Sequence, residues 1–322
     1  MKQIDISVII VNYNTAAIIY NCILSIQKHK TRNIYEIIIV DNNSNDNIEE
    51  VINQIYNENI RVIKLSQNLG FGKANNEGAK TAQGRFLFFL NPDTILLNNA
   101  LDLLAEYLKN NSSVGIVGGN LYDEQMKPAL SFRRIYPCLL YELYEMTAHK
   151  LERIIYRKCW CFNHTDFPMN VAYISGADLM IAQATFTQIG GFSKDFFMYC
   201  EDTDLCFKAH KKGLFIRNIP IVKIQHLEGK STKLDNGYFS ERGIKLSEQG
   251  RMTYYNKNTS LSTFILANII YLTSLRLLYL ASGIAKLKSH NAFAIRKNVA
   301  TELFKKYLCI KIKKIKKNKK IK

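Results

Sequence analysis

The sequence predicts an α/β protein with a mostly parallel central sheet that carries helices on both faces. Two observations support this fold class. In the first 120 residues, short runs rich in Ile, Val and Phe alternate with segments whose apolar residues recur at helical spacing. The apolar runs are also nearly continuous, which is typical of strands that are buried on both sides. Together the two patterns indicate consecutive strand–helix–strand units.

The same patterns give the bounds of the individual elements. The predicted strands of the first half are Ile6–Val11, Glu36–Val40, Arg61–Leu65, Arg85–Leu90 and Val114–Gly118. The predicted helices between them are Ala16–His29, Asn45–Ile55, Phe71–Thr81 and Asn98–Leu108. Residues 125–170 are interpreted as a variable insertion with one helix near Leu139–Arg157. Regular structure is expected again over Val171–Ile181, Gly190–Lys212 and a strand Leu214–Ile219.

Positive charge is concentrated at the C-terminal end of the 322-residue chain. The formal net charge is +17, and residues 305–322 alone contain ten lysines and no acid. Upstream, the apolar stretch 261–280 has the length needed to span a bilayer but contains Arg276. A helix that spans the membrane and one that lies in its interface both fit this composition. We therefore expect region 231–322 to attach to an anionic membrane surface, with a solvated disordered tail as the alternative.

Cysteine usage and the N-terminal sequence predict a cytoplasmic location, at the inner face of the cell membrane. The seven cysteines are scattered and include no Cys-x-x-Cys pair, as expected of reduced thiols. The first apolar run, Ile6–Val11, is too short for a signal peptide. No motif of a nucleic-acid-binding fold accompanies the basic tail, so no nucleic-acid partner is expected.

Polar residues follow four of the predicted strands. In parallel sheets, ligands bind beyond the carboxyl ends of the strands, where these loops would meet. We therefore expect the ligand site at four loops, namely Asn12–Thr15, Asp41–Asp46, Gln67–Gly72 and Asn91–Thr94.

Asp41 and Asp93 are the acids of two of these loops. A carboxylate at Asp41 can accept a hydrogen bond from a nucleotide base, although an Asx-turn explains the same residue. A carboxylate at Asp93 can bind a divalent ion that holds a diphosphate, although Pro92 and Asp93 also favour a plain turn. The glycine-rich loop at 68–76 has Asn75 where a dinucleotide fingerprint requires its third glycine, which disfavours a dehydrogenase.

Three carboxylates lie within four residues at Glu201, Asp202 and Asp204, after an aromatic run and before a predicted helix. Acids in the first turn match the helix dipole, which is the simplest explanation. A clustered carboxylate in a pocket is also what a general base requires. His226 follows a strand-like run, and neutral imidazole is a common metal ligand, although a lone histidine more often has no such role.

Taken together, these motifs resemble the inverting family 2 glycosyltransferases of GT-A fold, and among them the rhamnosyltransferase-like members that build bacterial surface polysaccharides. The resemblance covers residues 5–230 in order, through SVIIVNYN (7–14), VDNNSND (40–46), NLGFGKANNEG (68–78), FLNPD (89–93), SGADLMI (175–181), GGFSKDFFMYCEDTDLCFK (190–208) and His226. It implies a GT-A domain over 1–230, insertion 125–170 included, followed by a helical basic extension over 231–322.

For the nucleotide, the resemblance implies that Asn12 and Asn14 lie beside it and that Asp41 hydrogen-bonds its uracil or thymine ring. Asn68 and Asn75 would line the pocket of the nucleotide-diphosphate sugar donor.

For the diphosphate and the acceptor, the resemblance implies a divalent cation, Mg²⁺ or Mn²⁺, bound by Asp93 and His226. Asn91 stands where the family's metal-binding motif often has a first acid. Asp202 would be the catalytic base and Glu201 would orient the acceptor.

The resulting hypothesis is an inverting transfer of a sugar, with dTDP-rhamnose as the first donor to consider, to a glycan or lipid-linked saccharide. A UDP-hexose donor is the alternative within the family. A nucleotidyltransferase lacks support, because no phosphate-binding loop follows the first strand. A non-catalytic membrane or nucleic-acid-binding protein remains the alternative of another class.

Overall fold

The computed structural model describes residues 3–55, 59–227, 234–235, 238–285 and 289–320. The chain divides into two compact units. The sheet unit comprises residues 1–134, 158–197 and 201–231, and the helical unit comprises 135–157, 198–200 and 232–322. Part of the segment that we interpreted as an insertion in the first domain, residues 135–157, therefore belongs with the C-terminal helices.

The strands of the described residues lie mainly in one mixed sheet. In chain order they are β1 (Ile6–Asn12), β2 (Tyr35–Asp41), β3 (Ile60–Lys64), β4 (Phe86–Leu90), β5 (Thr94–Leu96), β6 (Val114–Tyr122), β7 (Phe132–Arg133), β8 (Met169–Val171), β9 (Tyr173–Ile174), β10 (Asp178–Ala182), β11 (Phe215–His226), β12 (Leu234–Asp235) and β13 (Tyr238–Phe239). The main sheet has the order β3-β2-β1-β4-β10-β6-β11-β5, with β8 on β11.

The first four strands of the sheet are parallel, as predicted. Their register aligns Asn12 with Asp41 and Asp41 with Lys64, so the loops after β1, β2 and β3 leave the sheet at one edge. β10 is antiparallel to both β4 and β6. The sheet is thus mostly parallel on one side of β4 and mixed on the other.

The helices of the described residues are α1 (Ala16–Lys28), α2 (Ile48–Ile52), α3 (Phe71–Thr81), α4 (Ala100–Asn110), α5 (Leu139–Met146), α6 (Lys150–Tyr156), α7 (Gln183–Gln188), α8 (Glu201–Lys211), α9 (Glu241–Asn258), α10 (Leu261–Ile284) and α11 (His290–Lys320). The helices α1 and α4 bury apolar residues at helical spacing against the sheet. Asn99 caps α4 by accepting a hydrogen bond from the backbone N–H of Asp102.

Two predicted elements differ from the structure, and a third agrees with it. The single helix expected near 139–157 is two helices, because Ala148 and His149 have positive φ and break it. The strand expected at 214–219 continues to His226 as β11. The lysine-rich tail is helical in α11 up to Lys320, which agrees with the predicted helical basic extension and not with the disordered alternative; residues 321–322 lie outside the described residues.

The helical unit has a buried charged network as well as an apolar core. Arg251 of α9 lies 2.9 Å from the carboxylate of Glu142 in α5. Tyr255 donates its hydroxyl to the same carboxylate. In α11, Lys311 donates to the backbone carbonyls of Asn256 and Thr259 at the end of α9, so at least one tail lysine has a structural role.

Gly70, directly before α3, is a position where we expect a large effect on stability. It has φ +84°, and a Cβ there would overlap the backbone carbonyl oxygen of Phe197. Gly213 also has a positive φ (+79°) but open space around it, which makes Gly213→Ala the matched control. Gly213→Ala should cost only the conformational term of about 1–2 kcal/mol. Gly70→Ala should cost clearly more in urea unfolding, and equal losses would contradict the role of the contact.

Candidate active site

Asp41 ends β2 and is held by a dense polar cluster. Asn12, at the end of the neighbouring β1, donates its side-chain amide to Asp41 Oδ1 at 3.0 Å and to Asp46 Oδ1 at 2.9 Å. The Asn12 Oδ1 atom accepts from Thr15. Because Asn12 is fully buried and its polar groups are engaged in these bonds, its geometry suits positioning of Asp41 better than direct contact with a ligand.

The loops after β1 and β2 are joined by further hydrogen bonds. Asn14 has left-handed backbone (φ 57°), and its Oδ1 accepts from the backbone N–H of Asn45 at 2.8 Å. Asp46 Oδ2 accepts from the backbone N–H of Ala16 at 2.7 Å and so caps α1 from a distant segment. The sequence analysis did not single out Asp46, because only the β1–β2 register brings it to the start of α1.

The loop after β3 connects to the same region through Asn42. The Asn42 side chain donates to Asn68 Oδ1 at 3.0 Å and accepts from the backbone N–H of Leu69 at 2.8 Å. Asn68 in turn accepts from the backbone N–H of Gly70. Asn75 lies one turn into α3, and its amide donates to the backbone carbonyl of Phe71 at 3.2 Å. Of the two asparagines predicted to line the donor pocket, only Asn68 therefore lies in the loop itself.

The start of α3 contacts the aromatic segment before α8 and lies close to the first residue of that helix. The backbone N–H of Phe71 donates to the carbonyl of Phe197 at 2.9 Å. A Cβ on Gly72 would lie 3.4 Å from the Cβ of Glu201. The glycine at position 72 thus lets the donor-side loop approach the candidate catalytic pair closely.

Glu201 and Asp202 form the first turn of α8. Asp202 accepts hydrogen bonds from the backbone N–H groups of Gly176 at 2.9 Å and Thr203 at 2.6 Å. Burial raises the pKa of Asp202, and these N–H donors oppose that rise. Burial also raises the pKa of Glu201, to about 8, and the neighbouring Asp202 carboxylate adds to the increase. Glu201 therefore keeps its proton to a higher pH than an ordinary carboxyl group, whereas the backbone donors to Asp202 favour its ionised form.

The raised pKa of Glu201 predicts a pH dependence of folding stability. A carboxyl group whose pKa is higher in the folded than in the unfolded state makes the protein lose stability as pH rises. For Glu201 that loss spans the interval from its ordinary 4.5 to about 8. We expect the Tm of Glu201→Gln to fall less than the Tm of wild type when the pH is raised from 5 to 8. Parallel Tm curves for the two proteins, with exposed Glu106→Gln as the control, would contradict this assignment.

Asp93 and His226 lie together because β5 pairs with β11. The register aligns Thr94 with His226, and the backbone N–H of Leu227 donates to the carbonyl of Asp93 at 2.9 Å. His226 Nε2 lies 3.3 Å from Asp93 Oδ1 and 3.4 Å from Asn91 Nδ2. The sequence prediction that positions 91, 93 and 226 form one cluster is consistent with these distances.

The donor set of this cluster fits a divalent cation that is bound jointly with a diphosphate. A buried carboxylate, an imidazole and an amide converge here. Within the described residues, no group of three or more His, Cys, Asp or Glu side chains is arranged to hold a metal ion. Mg²⁺ commonly uses one or two protein ligands and takes the remainder from substrate phosphates and water. The site therefore fits a cation that depends on the nucleotide for its other ligands.

A short segment before β10 connects the Glu201–Asp202 pair to this cluster. Gly176 donates its N–H to Asp202, and the carbonyl of the next residue, Ala177, accepts from the backbone N–H of Asn91 at 2.9 Å. Asp178 follows, fully buried, and accepts from the backbone N–H of Gly119. Burial raises the pKa of Asp178 well above its ordinary value. The sequence analysis quoted this motif but assigned no role to it.

A family model described as glycosyl transferase family 2 matches residues 7–174, just over half of the chain. The chain belongs to glycosyl transferase family 2. An N-acetylglucosaminyl-diphospho-decaprenol L-rhamnosyltransferase of Mycobacterium tuberculosis is 24% identical over 221 residues, 62% of this chain and 68% of that protein. The rhamnosyltransferase WbbL of Escherichia coli is 26% identical over 174 residues, 49% of this chain and 60% of that protein.

Solved structures confirm the GT-A fold of this family 2 protein. The mannosyltransferase PcManGT from Pyrobaculum calidifontis, in complex with GDP-Man and Mn²⁺, superposes with a TM-score of 0.56 at 15% identity, over 96% of this chain and 88% of that one. GalNAc-T7 with UDP, GalNAc and Mn²⁺ gives 0.55 at 15% identity, over 79% of this chain, which spans about half of that protein. The predicted family, fold and transferase class are thus confirmed.

Proposed function

We propose that this glycosyltransferase transfers rhamnose from dTDP-rhamnose to a lipid-linked saccharide, with inversion at the anomeric carbon. The observation that carries the proposal is that the predicted loops are linked in series by hydrogen bonds and by chain neighbours. The series runs from Asp41 and its neighbour Asn42 to Asn68, along the start of α3 to the Glu201–Asp202 pair, and from there through Gly176 and Ala177 to the loop of Asp93. The nucleotide base would lie at the Asp41 end of that series, the acceptor hydroxyl at the Glu201–Asp202 pair and the diphosphate at the loop of Asp93.

In the proposed reaction, Asp202 removes the proton of an acceptor hydroxyl while that oxygen attacks the anomeric carbon. The C–O bond to the nucleoside diphosphate breaks on the opposite face, and the electron pair leaves with the diphosphate. A single base is sufficient for this displacement, unlike the two carboxyl groups of a glycosidase. Asp93 and His226 would hold a divalent cation that, when bound, neutralises the charge of the leaving diphosphate. Glu201 would orient the acceptor.

The rhamnosyl group is supported by the names of both rhamnosyltransferase relatives, and the lipid-linked acceptor by the name of the Mycobacterium tuberculosis protein. A UDP-hexose donor is the second candidate. It is favoured by a poly(ribitol-phosphate) β-N-acetylglucosaminyltransferase of Staphylococcus aureus, TarP, which is 34% identical over 122 residues, 37% of this chain and 36% of that protein.

Attachment to the anionic cytoplasmic face of the cell membrane is part of the same proposal. By length and composition, α10 is the one helix within the described ranges that could cross a bilayer, with a mean hydropathy of 1.7. Buried core helices meet the same criterion, so this finding is weak by itself. The lysines of α11 support the attachment, since each basic residue near an anionic surface contributes about 1 kcal/mol.

A donor screen tests the proposal. The melting temperature of the full chain is measured with dTDP, UDP, dTDP-rhamnose and UDP-hexoses, with and without Mn²⁺ or Mg²⁺. Stabilisation by dTDP-rhamnose that requires the cation would support the rhamnosyl donor. Stabilisation by a UDP-hexose instead would identify that sugar nucleotide as the donor and leave the proposed type of reaction unchanged. No stabilisation by any nucleotide would overturn the assignment of the site and favour a non-catalytic binding protein.

A further inference from the structure

The helices α5 and α6 form a hairpin that buries two acids and exposes a set of large apolar residues. Glu142 and Glu152 are buried, together with Tyr144 of α5, whereas six large aliphatic side chains of the two helices are exposed. Soluble helices normally bury the apolar face and expose the charged one. The exposed apolar residues are Leu140, Leu143, Met146, Leu151, Ile154 and Ile155.

Internal partners account for the buried acids. Glu142 bonds to Arg251 and Tyr255 inside the helical unit. Glu152 is fully buried and lies 2.9 Å from His149 Nδ1 in the turn between the two helices. With both acids turned inward, the six exposed aliphatic side chains of α5 and α6 lie on the outer surface of the hairpin.

The two most exposed apolar residues of the hairpin lie on α6. Ile154 is 72% exposed and Ile155 is 57% exposed, and they follow Leu151 at helical spacing. Clusters of exposed apolar residues at this spacing mark a surface that contacts another apolar phase or protein.

The charges that remain exposed around α6 are all positive. Lys150, Arg153 and Arg157 are exposed, while Glu152, the acid among them, is buried. A short helix that combines protruding Leu and Ile with basic residues matches the composition of helices that insert into the interface of anionic bilayers. The charge selects anionic phospholipid over a neutral apolar partner.

We propose that the α5–α6 hairpin inserts Ile154 and Ile155 into an anionic phospholipid bilayer, as a membrane contact separate from α10 and the lysines of α11. The inference rests on the proposed membrane attachment of this glycosyltransferase and adds a second, apolar point of contact. It assigns a function to part of the segment that the sequence analysis could describe only as an insertion.

The test is flotation of the full chain with vesicles of phosphatidylcholine and phosphatidylglycerol. The variant Ile154→Ser/Ile155→Ser removes two apolar side chains without changing charge, and we expect its vesicle partitioning to fall by about tenfold or more. The control Phe167→Ser/Ile221→Ser changes two residues that are 77% and 59% exposed in the sheet unit, and should partition like wild type. Thermal shift with the nucleotide found in the donor screen verifies that both variants keep the site.

A second measurement reports insertion directly. Trp160 is the only tryptophan of the chain, so Trp160→Phe/Ile155→Trp places the single indole on the hairpin. We expect its emission to shift to the blue with anionic vesicles and to be quenched by brominated lipid.

An unshifted emission, or unchanged partitioning of Ile154→Ser/Ile155→Ser, would overturn the role of the hairpin and leave attachment by α10 and α11 intact. Absence of wild-type binding would overturn both, and a change in oligomeric state of the variant without lost binding would assign the surface to a second copy of the chain.

Discussion

Asp202→Asn should abolish nearly all sugar transfer while leaving nucleotide binding unchanged. The substitution keeps the size of the side chain and an oxygen acceptor for one of the two N–H groups, those of Gly176 and Thr203, which bind different oxygens of Asp202. It removes the ability to take a proton from the acceptor, and general bases contribute typically about 10²–10⁴-fold to rate. We expect kcat to fall by about that factor. The measurement is release of nucleoside diphosphate from the donor identified by thermal shift, with a bacterial membrane extract as acceptor.

The matched control is Asp195→Asn, an exposed aspartate in the turn shortly before α8. Its kcat should equal that of wild type. Undiminished turnover in Asp202→Asn would show that the base is another residue, with Glu201 the next to examine. A parallel loss of nucleotide binding would show instead that Asp202 is needed for the shape of the pocket.

Asp93→Asn should remove the dependence of nucleotide binding on a divalent cation. The carboxylate of Asp93 is buried and lies 3.3 Å from the imidazole of His226. Because Asp93 is the only acid of loop 91–94, no other charged oxygen of the loop can replace it. Even a residue that only hydrogen-bonds to a metal ligand contributes about 10–100-fold to the affinity for the metal. We therefore expect the affinity for the nucleoside diphosphate in Mn²⁺ to fall by at least that range. Isothermal titration of dTDP and UDP, with and without Mn²⁺, measures the difference.

Two comparisons make this experiment specific. His226→Gln should lose part of the effect of Mn²⁺, and exposed Asp166→Asn should lose none of it. Because only a few protein ligands are available at this site, Mn²⁺ alone should bind wild type weakly and bind well once the nucleotide is present. Equal cation dependence in wild type and Asp93→Asn would contradict a cation at this position.

Local periodicity was sufficient to predict the parallel half of the fold. The strands β1 to β4 and helix α3 fall within one or two residues of their predicted bounds, since continuous apolar strands and amphipathic helices have different periods. The convergence of Asp41, Asn68 and Asp93 at the strand ends follows from the same topology.

Other features depend on long-range pairing and could not be read from local sequence. β10 lies between β4 and β6 although it follows both in the chain, and three residues of β5 are held by β11. The neighbouring positions of Gly176 and Asp202 arise from this arrangement. The break between α5 and α6 depends on left-handed backbone at Ala148 and His149, which neither residue signals. The inward orientation of Glu142 requires Tyr255, which is distant in sequence, and that of Glu152 requires His149 in the turn before its helix.

The cluster around Asn12 has a consequence for engineering of donor preference. Asn12 binds both Asp41 and Asp46, and the second oxygen of Asp46 holds the first turn of α1. A mutational library at positions 12 or 46 would therefore mix altered base recognition with loss of folding. Positions 14 and 68 carry the same risk, because Asn14 accepts from the backbone N–H of Asn45 and Asn68 accepts from that of Gly70, and both side chains thereby hold the loops in place.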